Sequence, residues 1–248
     1  MGYTIAIAGK GGTGKTTVAG LLVRILTEKR VGSILAIDAD PNSNLAEALG
    51  VKTETTISQI IDDIAKHPEK IPSGISKDRF IAYQIETIIQ ENDGFDLLTM
   101  GRPEGPGCYC YANSVLRNIT DKLIKGYDYI VIDNEAGFEH LSRKTTRIAD
   151  TLVVVSDATR VGLRSAQRIN ELAKELDLKI KKRLLIINRY EDVDKQSIKD
   201  LGLEYIGNIP LDNGIAKISL DGNSLMKLEK EAISLKMLRK MEDKIWQC

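Results

Sequence analysis

The chain has 248 residues, with 35 Lys and Arg set against 35 Asp and Glu, so its formal net charge is zero. With 42% hydrophobic and 28% charged residues it has the composition of an ordinary soluble globular protein, long enough for one continuous α/β core. The charge balance argues against broad charge-driven binding to nucleic acid or to an anionic membrane. Three cysteines are too few for a disulfide framework and point to a reducing compartment. The opening Met1-Gly2-Tyr3-Thr4-Ile5-Ala6 lacks the basic stretch and long apolar run of a secretory signal, and Ala6 stands where N-myristoylation requires Ser or Thr. The longest apolar runs are strand-sized. A cytoplasmic location is expected, with no stable membrane association and no nucleic acid partner.

In chain order, Tyr3–Ala8 reads as a strand, followed by a helical stretch Thr16–Glu28 with Val18, Leu21, Leu22 and Ile25 on one face. Ser33–Asp38 reads as the next strand. The stretch 66–77, with Pro68, Pro72 and Gly74, breaks the pattern and reads as a surface insertion. Strands then recur at Phe95–Met100, Tyr127–Asp133, Thr151–Ser156, Arg183–Asn188 and Glu204–Ile209, with amphipathic stretches at Arg160–Leu176 and Glu229–Trp246. Several of the strands are apolar on both faces, as buried parallel strands are. The alternation predicts a doubly wound, mostly parallel sheet flanked by helices on both faces, in one domain over residues 1–248. Ligands are expected at the carboxyl ends of its strands.

Gly9-Lys10-Gly11-Gly12-Thr13-Gly14-Lys15-Thr16-Thr17 joins the first strand to the first helix. Gly9, Gly11 and Gly14 fit the dinucleotide fingerprint, for which Asp38 would be the ribose-binding acid. Gly9 to Thr16 also fit the phosphate-loop pattern G-x-x-x-x-G-K-[ST]. The residues after Gly14 favour the second: Lys15 reaches terminal phosphates and the Thr16 hydroxyl holds Mg²⁺. The backbone of Gly11, Gly12, Thr13, Gly14 and Thr17 would cradle the phosphates at a helix N-terminus.

Lys10 adds a second lysine that an ordinary phosphate loop does not need. The string K-G-G-x-G-K-T-T resembles the deviant Walker A motif of the MinD/ParA/nitrogenase-iron-protein class. The resemblance implies a P-loop fold, a homodimer when ATP is bound, and a Lys10 that reaches the partner subunit's nucleotide. It further implies that Asp40, in Asp38-Ala39-Asp40-Pro41, positions the attacking water, with Asp38 a supporting or Mg²⁺-linked acid. Tyr129-Ile130-Val131-Ile132-Asp133 looks like the Walker B strand, where Asp133 holds Mg²⁺ through water. Asn188 and Arg189 stand where the class contacts adenine, and Pro210, Leu211 and Asp212 resemble its later adenine loop. Asn188-Arg189-Tyr190-Glu191 resembles the guanine-specific N-K-x-D pattern only in part, which favours ATP and leaves GTP open.

Cys108-Tyr109-Cys110 places two thiols two residues apart in a Gly/Pro-rich loop. Two thiolates cannot complete a four-coordinate soft-metal site, but a twofold axis doubles them to four. An intersubunit Cys₄ site for Ni²⁺ or Zn²⁺ follows, against the alternative of a redox couple or a pair of small buried residues. Cys248 reads as incidental and His140 as a structural or switch histidine.

Together with the phosphate loop and Asp38–Pro41, Cys108/Cys110 and Asp133-Asn134-Glu135-Ala136-Gly137-Phe138-Glu139-His140-Leu141-Ser142-Arg143 resemble the CooC-type ATPases across nearly the whole chain. The resemblance implies slow hydrolysis of ATP to ADP and phosphate. It also implies a client nickel enzyme, carbon monoxide dehydrogenase or acetyl-CoA synthase. Two rivals within the class are a membrane- or DNA-associated positioning ATPase and an iron–sulfur electron-transfer protein. The first calls for a basic amphipathic C-terminal helix, whereas 229–244 mixes five basic with four acidic residues and reads as a solvated or dimer-facing helix. The second draws its cluster ligands from separate segments, whereas here both thiols share one loop.

Overall fold

The structure, a computed structural model, describes residues 2–102, 114–115, 118–119, 123, 125–135 and 148–246. Its strands are β1 (Tyr3–Gly9), β2 (Ile34–Ala39), β3 (Gln90–Asn92), β4 (Phe95–Thr99), β5 (Tyr129–Asn134), β6 (Ile148–Ser156), β7 (Lys179–Asn188) and β8 (Glu204–Ile209). They form one sheet in the order β3-β4-β2-β5-β1-β6-β7-β8. Every neighbouring pair is parallel except the β3–β4 hairpin at the edge. The helices are α1 (Lys15–Lys29), α2 (Asn44–Leu49), α3 (Ile57–Lys66), α4 (Lys77–Thr87), α5 (Arg160–Glu175), α6 (Lys195–Ile198), α7 (Asn213–Leu220) and α8 (Ile233–Ile245).

Period-2 alternation in buried parallel strands sends apolar side chains to both faces. On one face Ile5, Ile7, Val131 and Val153 pack with Leu21, Leu22 and Ile25 of α1 and with Leu235, Leu238 and Ile245 of α8. On the other, Ile37, Leu98 and Ile132 meet Ile57, Ile61 and Ile64 of α3, while Ala6, Ala8 and Val154 meet Leu163, Ala166 and Ile169 of α5. The doubly wound sheet expected from the sequence is the observed architecture.

The seven expected strands are present, Glu204–Ile209 with the expected bounds and the other six with shifted ends. Tyr127 and Asp128 precede β5; Tyr127 Oη donates to Asp96 at 2.6 Å and the Asp128 side chain accepts from the Ser33 N–H and hydroxyl. Strand β7 begins at Lys179, earlier than its apolar run, since Lys179 and Ile180 pair with Ile148 and Ala149 of β6.

The C-terminal stretch read as starting at Glu229 becomes helical only at Ile233, after a 3₁₀ turn at Leu225–Lys227. Its apolar stripe of Leu235, Leu238, Met241 and Ile245 lies in the core against α1 and β8. Residues 44–87 hold three helices, α2 to α4, beyond the elements that the sequence pattern predicts. The break at 66–77 corresponds to a 3₁₀ turn at Pro68–Lys70 and the mostly exposed connection from α3 to α4.

Candidate functional site

Strand β1 ends at Gly9 and α1 begins at Lys15, so residues 10–14 turn the chain over the carboxyl end of the sheet's centre. Two glycines are required there by contact. A Cβ on Gly9 would lie 2.2 Å from the Val155 carbonyl oxygen, and one on Gly14 would lie 2.2 Å from the Asn188 amide nitrogen. Gly14 is also left-handed, at φ 90, and heads α1 with no side-chain cap, which leaves the helix's first N–H groups open to an anion. Thr13 is buried and its hydroxyl donates to the Lys10 carbonyl at 2.8 Å, fixing the inside of the loop. Gly11, Gly12 and the Lys10 side chain are exposed.

The Lys15 side chain folds back into the loop, its ammonium donating to the Lys10 carbonyl at 3.4 Å. It is only 7% exposed. Burial holds its pKa below the usual lysine value, although Asp133, Asp40 and Glu135 oppose that fall. Thr16, on the first turn of α1, lies against Asp133.

Asp133 and Asp40 act on this lysine, and Asp38 stands behind Asp133. Asp38 on β2 and Asp133 on β5 are register partners, both fully buried, with Thr99 beside Asp38 on β4. Asp38 accepts from the Leu45 N–H at 2.8 Å, the Ala46 N–H at 3.3 Å and the Asp40 N–H at 3.2 Å, so it organises the turn into α2. Even so, burial and then the neighbouring Asp133 push its carboxyl up to about 7. Asp133 is pushed up to about 6, first by burial. Neither Asp133 oxygen completes a hydrogen bond among the described residues. The Thr16 hydroxyl is near enough to favour the ionised carboxylate without bonding geometry. Asp40 is 8% exposed, and one of its oxygens accepts from both the backbone and the side-chain amide of Asn42, each at 2.9 Å.

On the other side of α1, Thr17, Asn188, Arg189, Pro210, Leu211 and Asp212 line one cleft of about 360 Å³. Asn188 is anchored by donating to the Thr13 carbonyl at 2.8 Å, and Arg189 reaches the Gly12 carbonyl at 3.2 Å. The residues read from the sequence as nucleotide contacts therefore converge on the phosphate loop from both flanks. Asp212 differs in one respect: its carboxylate is engaged by Gly214 and Ser234, so the loop offers Pro210 and Leu211 to the cleft.

Three residues without an assigned role join the site. Asn42 holds Asp40, Glu135 lies in the field of Lys15, and Asn134 anchors the end of β5 by donating to the Ile7 carbonyl at 2.8 Å. Asn134 and Glu135 follow Asp133 directly, which was the available signal for them. Cys108, Cys110, His140 and Cys248 lie outside the described residues. Among the described residues no group of three or more His, Cys, Asp and Glu is arranged to hold a metal by itself, and no helix is long and apolar enough to cross a membrane.

The CobQ/CobB/MinD/ParA nucleotide binding domain family matches residues 4–225. An uncharacterized ATP-binding protein of Methanocaldococcus jannaschii is 43% identical over 247 residues, 97% of each chain. The carbon monoxide dehydrogenase accessory protein CooC of Rhodospirillum rubrum is 32% identical over 245 residues, 90% of this chain and 89% of that one. Among solved structures, the septum site-determining protein MinD of Pyrococcus horikoshii, complexed with Mg-ADP, superposes with a TM-score of 0.73 at 22% identity, over 100% of this chain and 97% of that one. The chain belongs to the CobQ/CobB/MinD/ParA nucleotide binding domain family, within the P-loop ATPases.

Proposed function

We propose that this chain is an ATP-hydrolysing, dimerising maturation factor that supports nickel insertion into carbon monoxide dehydrogenase or acetyl-CoA synthase. The observation that carries the ATPase half is the fully buried Asp133 carboxylate, without a hydrogen-bond partner among the described residues, beside Lys15 and Thr16. A buried anion in that condition is costly unless a cation completes it. Thr16 and Asp133, with Asp38 behind them, fit Mg²⁺, which when bound would neutralise charge on the β- and γ-phosphates.

In the hydrolysis ATP + H₂O → ADP + phosphate, a water oxygen attacks the γ-phosphorus as the bond to the β–γ bridging oxygen breaks. Lys15, within reach of the phosphate loop and buried, stabilises charge on the transferring phosphoryl group. Asp40 has one oxygen committed to Asn42, leaving the other to orient the water. Lys10, exposed at the rim, adds a second positive charge across a dimer. The cleft bounded by Asn188, Pro210 and Leu211 takes the base.

The maturation half is supported by the 32% identity to CooC over nine-tenths of the chain and by Cys108 and Cys110, which a twofold dimer doubles into a four-sulfur set. If ATP closes the dimer and forms that metal site, metal must tighten ATP binding by the factor with which ATP tightens metal binding. The test is the mass and metal content of anaerobically purified protein with Ni²⁺ or Zn²⁺, with and without a non-hydrolysable ATP analogue. A dimer holding one metal, lost in Cys108→Ala, is expected. A Mg²⁺-analogue-loaded chain that stays monomeric, or equal metal affinity in both series, would overturn the reading.

The likeness to MinD raises a second reading, a positioning ATPase. Such a protein uses an amphipathic helix with a free apolar face. Here α8 buries Leu235, Leu238, Met241 and Ile245 in the core, which favours the maturation reading, and sedimentation with anionic lipid vesicles separates the two.

A further inference from the structure

The Asp212 carboxylate, at the edge of the base cleft, serves two helices at once. One oxygen accepts from the Gly214 N–H at 2.9 Å, capping α7. The other accepts from the Ser234 N–H at 3.0 Å and the Ser234 hydroxyl at 2.6 Å. Ser234 is the second residue of α8 and fully buried, and Ala232, at the head of that helix, supplies no side-chain cap. Asp212 is therefore the cap that α8 lacks locally, placed where a helix favours negative charge. Burial alone would raise this carboxyl, but the bonds from Ser234 and Gly214 outweigh it and hold it below the usual carboxylate range.

The other end of α8 is equally fixed. The Ile245 carbonyl accepts from Tyr3 Oη at 3.0 Å and from the Thr151 hydroxyl at 2.7 Å, tying the helix to β1 and β6. The loop Pro210–Asp212 is thus held by a helix anchored across the sheet. Beside this anchor, Leu211 is 65% exposed at the cleft, an apolar surface that a planar ring would cover.

We propose that Ser234 is a positioning residue for the base-binding loop: through Asp212 it sets where Pro210 and Leu211 stand, and so the part of nucleotide affinity that depends on the base. This rests on the nucleotide reading above. The phosphate loop lies on separate elements, so the effect should be confined to the base.

The test is calorimetric titration of the full chain, with Mg²⁺, by a non-hydrolysable ATP analogue and by inorganic tripolyphosphate. The wild type should bind the analogue more tightly. Ser234→Ala should weaken analogue binding by about ten-fold, the scale of one lost charge-assisted hydrogen bond, with tripolyphosphate affinity unchanged. Asp212→Asn should show the same selective loss and serves if Ser234→Ala does not fold. A wild-type preference that persists in both variants overturns the inference alone, as does an equal fall for both ligands. A wild type that binds the two ligands equally overturns the base-cleft reading and the inference with it.

Discussion

Asp38 and Asp133 stand side by side at the carboxyl ends of β2 and β5, in register and fully buried. Only Asp38 has its carboxylate satisfied by backbone N–H groups; Asp133 does not. The pair is a store of unfavourable electrostatics in the nucleotide-free chain, located where a bound cation would relieve it.

This arrangement gives the nucleotide-free protein an inverted pH response. Burial, then the neighbouring charge, raises Asp38 to about 7, and burial raises Asp133 to about 6. The folded chain therefore binds more protons than the unfolded chain from the ordinary carboxylate range up to about 7, so stability falls as pH rises through that window. Thermal unfolding without nucleotide should occur several degrees lower at pH 8 than at pH 5.5. Asp133→Asn should flatten the profile and stabilise the free chain at pH 8 on the order of 2 kcal/mol, while abolishing Mg²⁺-dependent nucleotide binding. A profile as steep in Asp133→Asn as in the wild type would reject this account.

Lys15 is the buried positive charge amid Asp133, Asp40 and Glu135. Lys15→Ala should lower phosphate release by roughly a hundred-fold or more, the scale of removing one preorganised charge from a transition state. Leaving those carboxylates uncompensated should also lower the denaturant midpoint. Phosphate release and urea titration on the same preparation measure both.

Lys10 presents the opposite case, since its side chain is exposed while its backbone carbonyl accepts from Thr13 and Lys15 within the loop. Lys10→Ala should change stability by less than about 0.5 kcal/mol, as surface substitutions do. It should nonetheless remove the nucleotide-driven doubling of mass and with it hydrolysis. Light scattering with Mg²⁺ and an ATP analogue reports the first effect, and a dimer that still forms would show that Lys10 does not act across subunits.

Gly14→Ala tests the packing of the phosphate loop against the base side of the site. The methyl group would meet the Asn188 amide in a backbone held at φ 90. A cost of about 1–2 kcal/mol in chemical denaturation is expected from the left-handed backbone alone. Displacement of Asn188 should weaken nucleotide binding at least ten-fold more than it weakens tripolyphosphate binding. Wild-type nucleotide affinity in this variant would place Asn188 outside the site.

The stretch 44–87 was less legible than the sheet, although signals were there. Thr56 and Gln59 form a capping box at the head of α3, and Ile57, Ile61 and Ile64 repeat at helical spacing behind it. Strand β3 was hidden because Gln90–Asn92 is polar and lies at the sheet edge, where one side needs no apolar partner; its cue was the turn Asp93-Gly94. The start of α8 escaped because its cap comes from Asp212, on another element. Asn42 escaped because its bonds to Asp40 arise from a tight turn that periodicity does not report.

From residue order alone come the alternating strands and helices, the phosphate loop from Gly9 to Thr17, and the acids that end two apolar strands. Those features follow from local chemistry: side-chain periodicity, glycine's backbone freedom and the lysine–hydroxyl pair that phosphate requires. Tertiary structure alone decides that β5 lies between β1 and β2, which brings Asp38 against Asp133, and that the ends of β7 and β8 close on the phosphate loop from the far side. It also turns Asp212 inward to cap a distant helix. The physical reason is that strand order, register and burial are set by packing across the whole sheet, where Asp38 and Asp133, nearly a hundred residues apart, become neighbours and the second raises the pKa of the first.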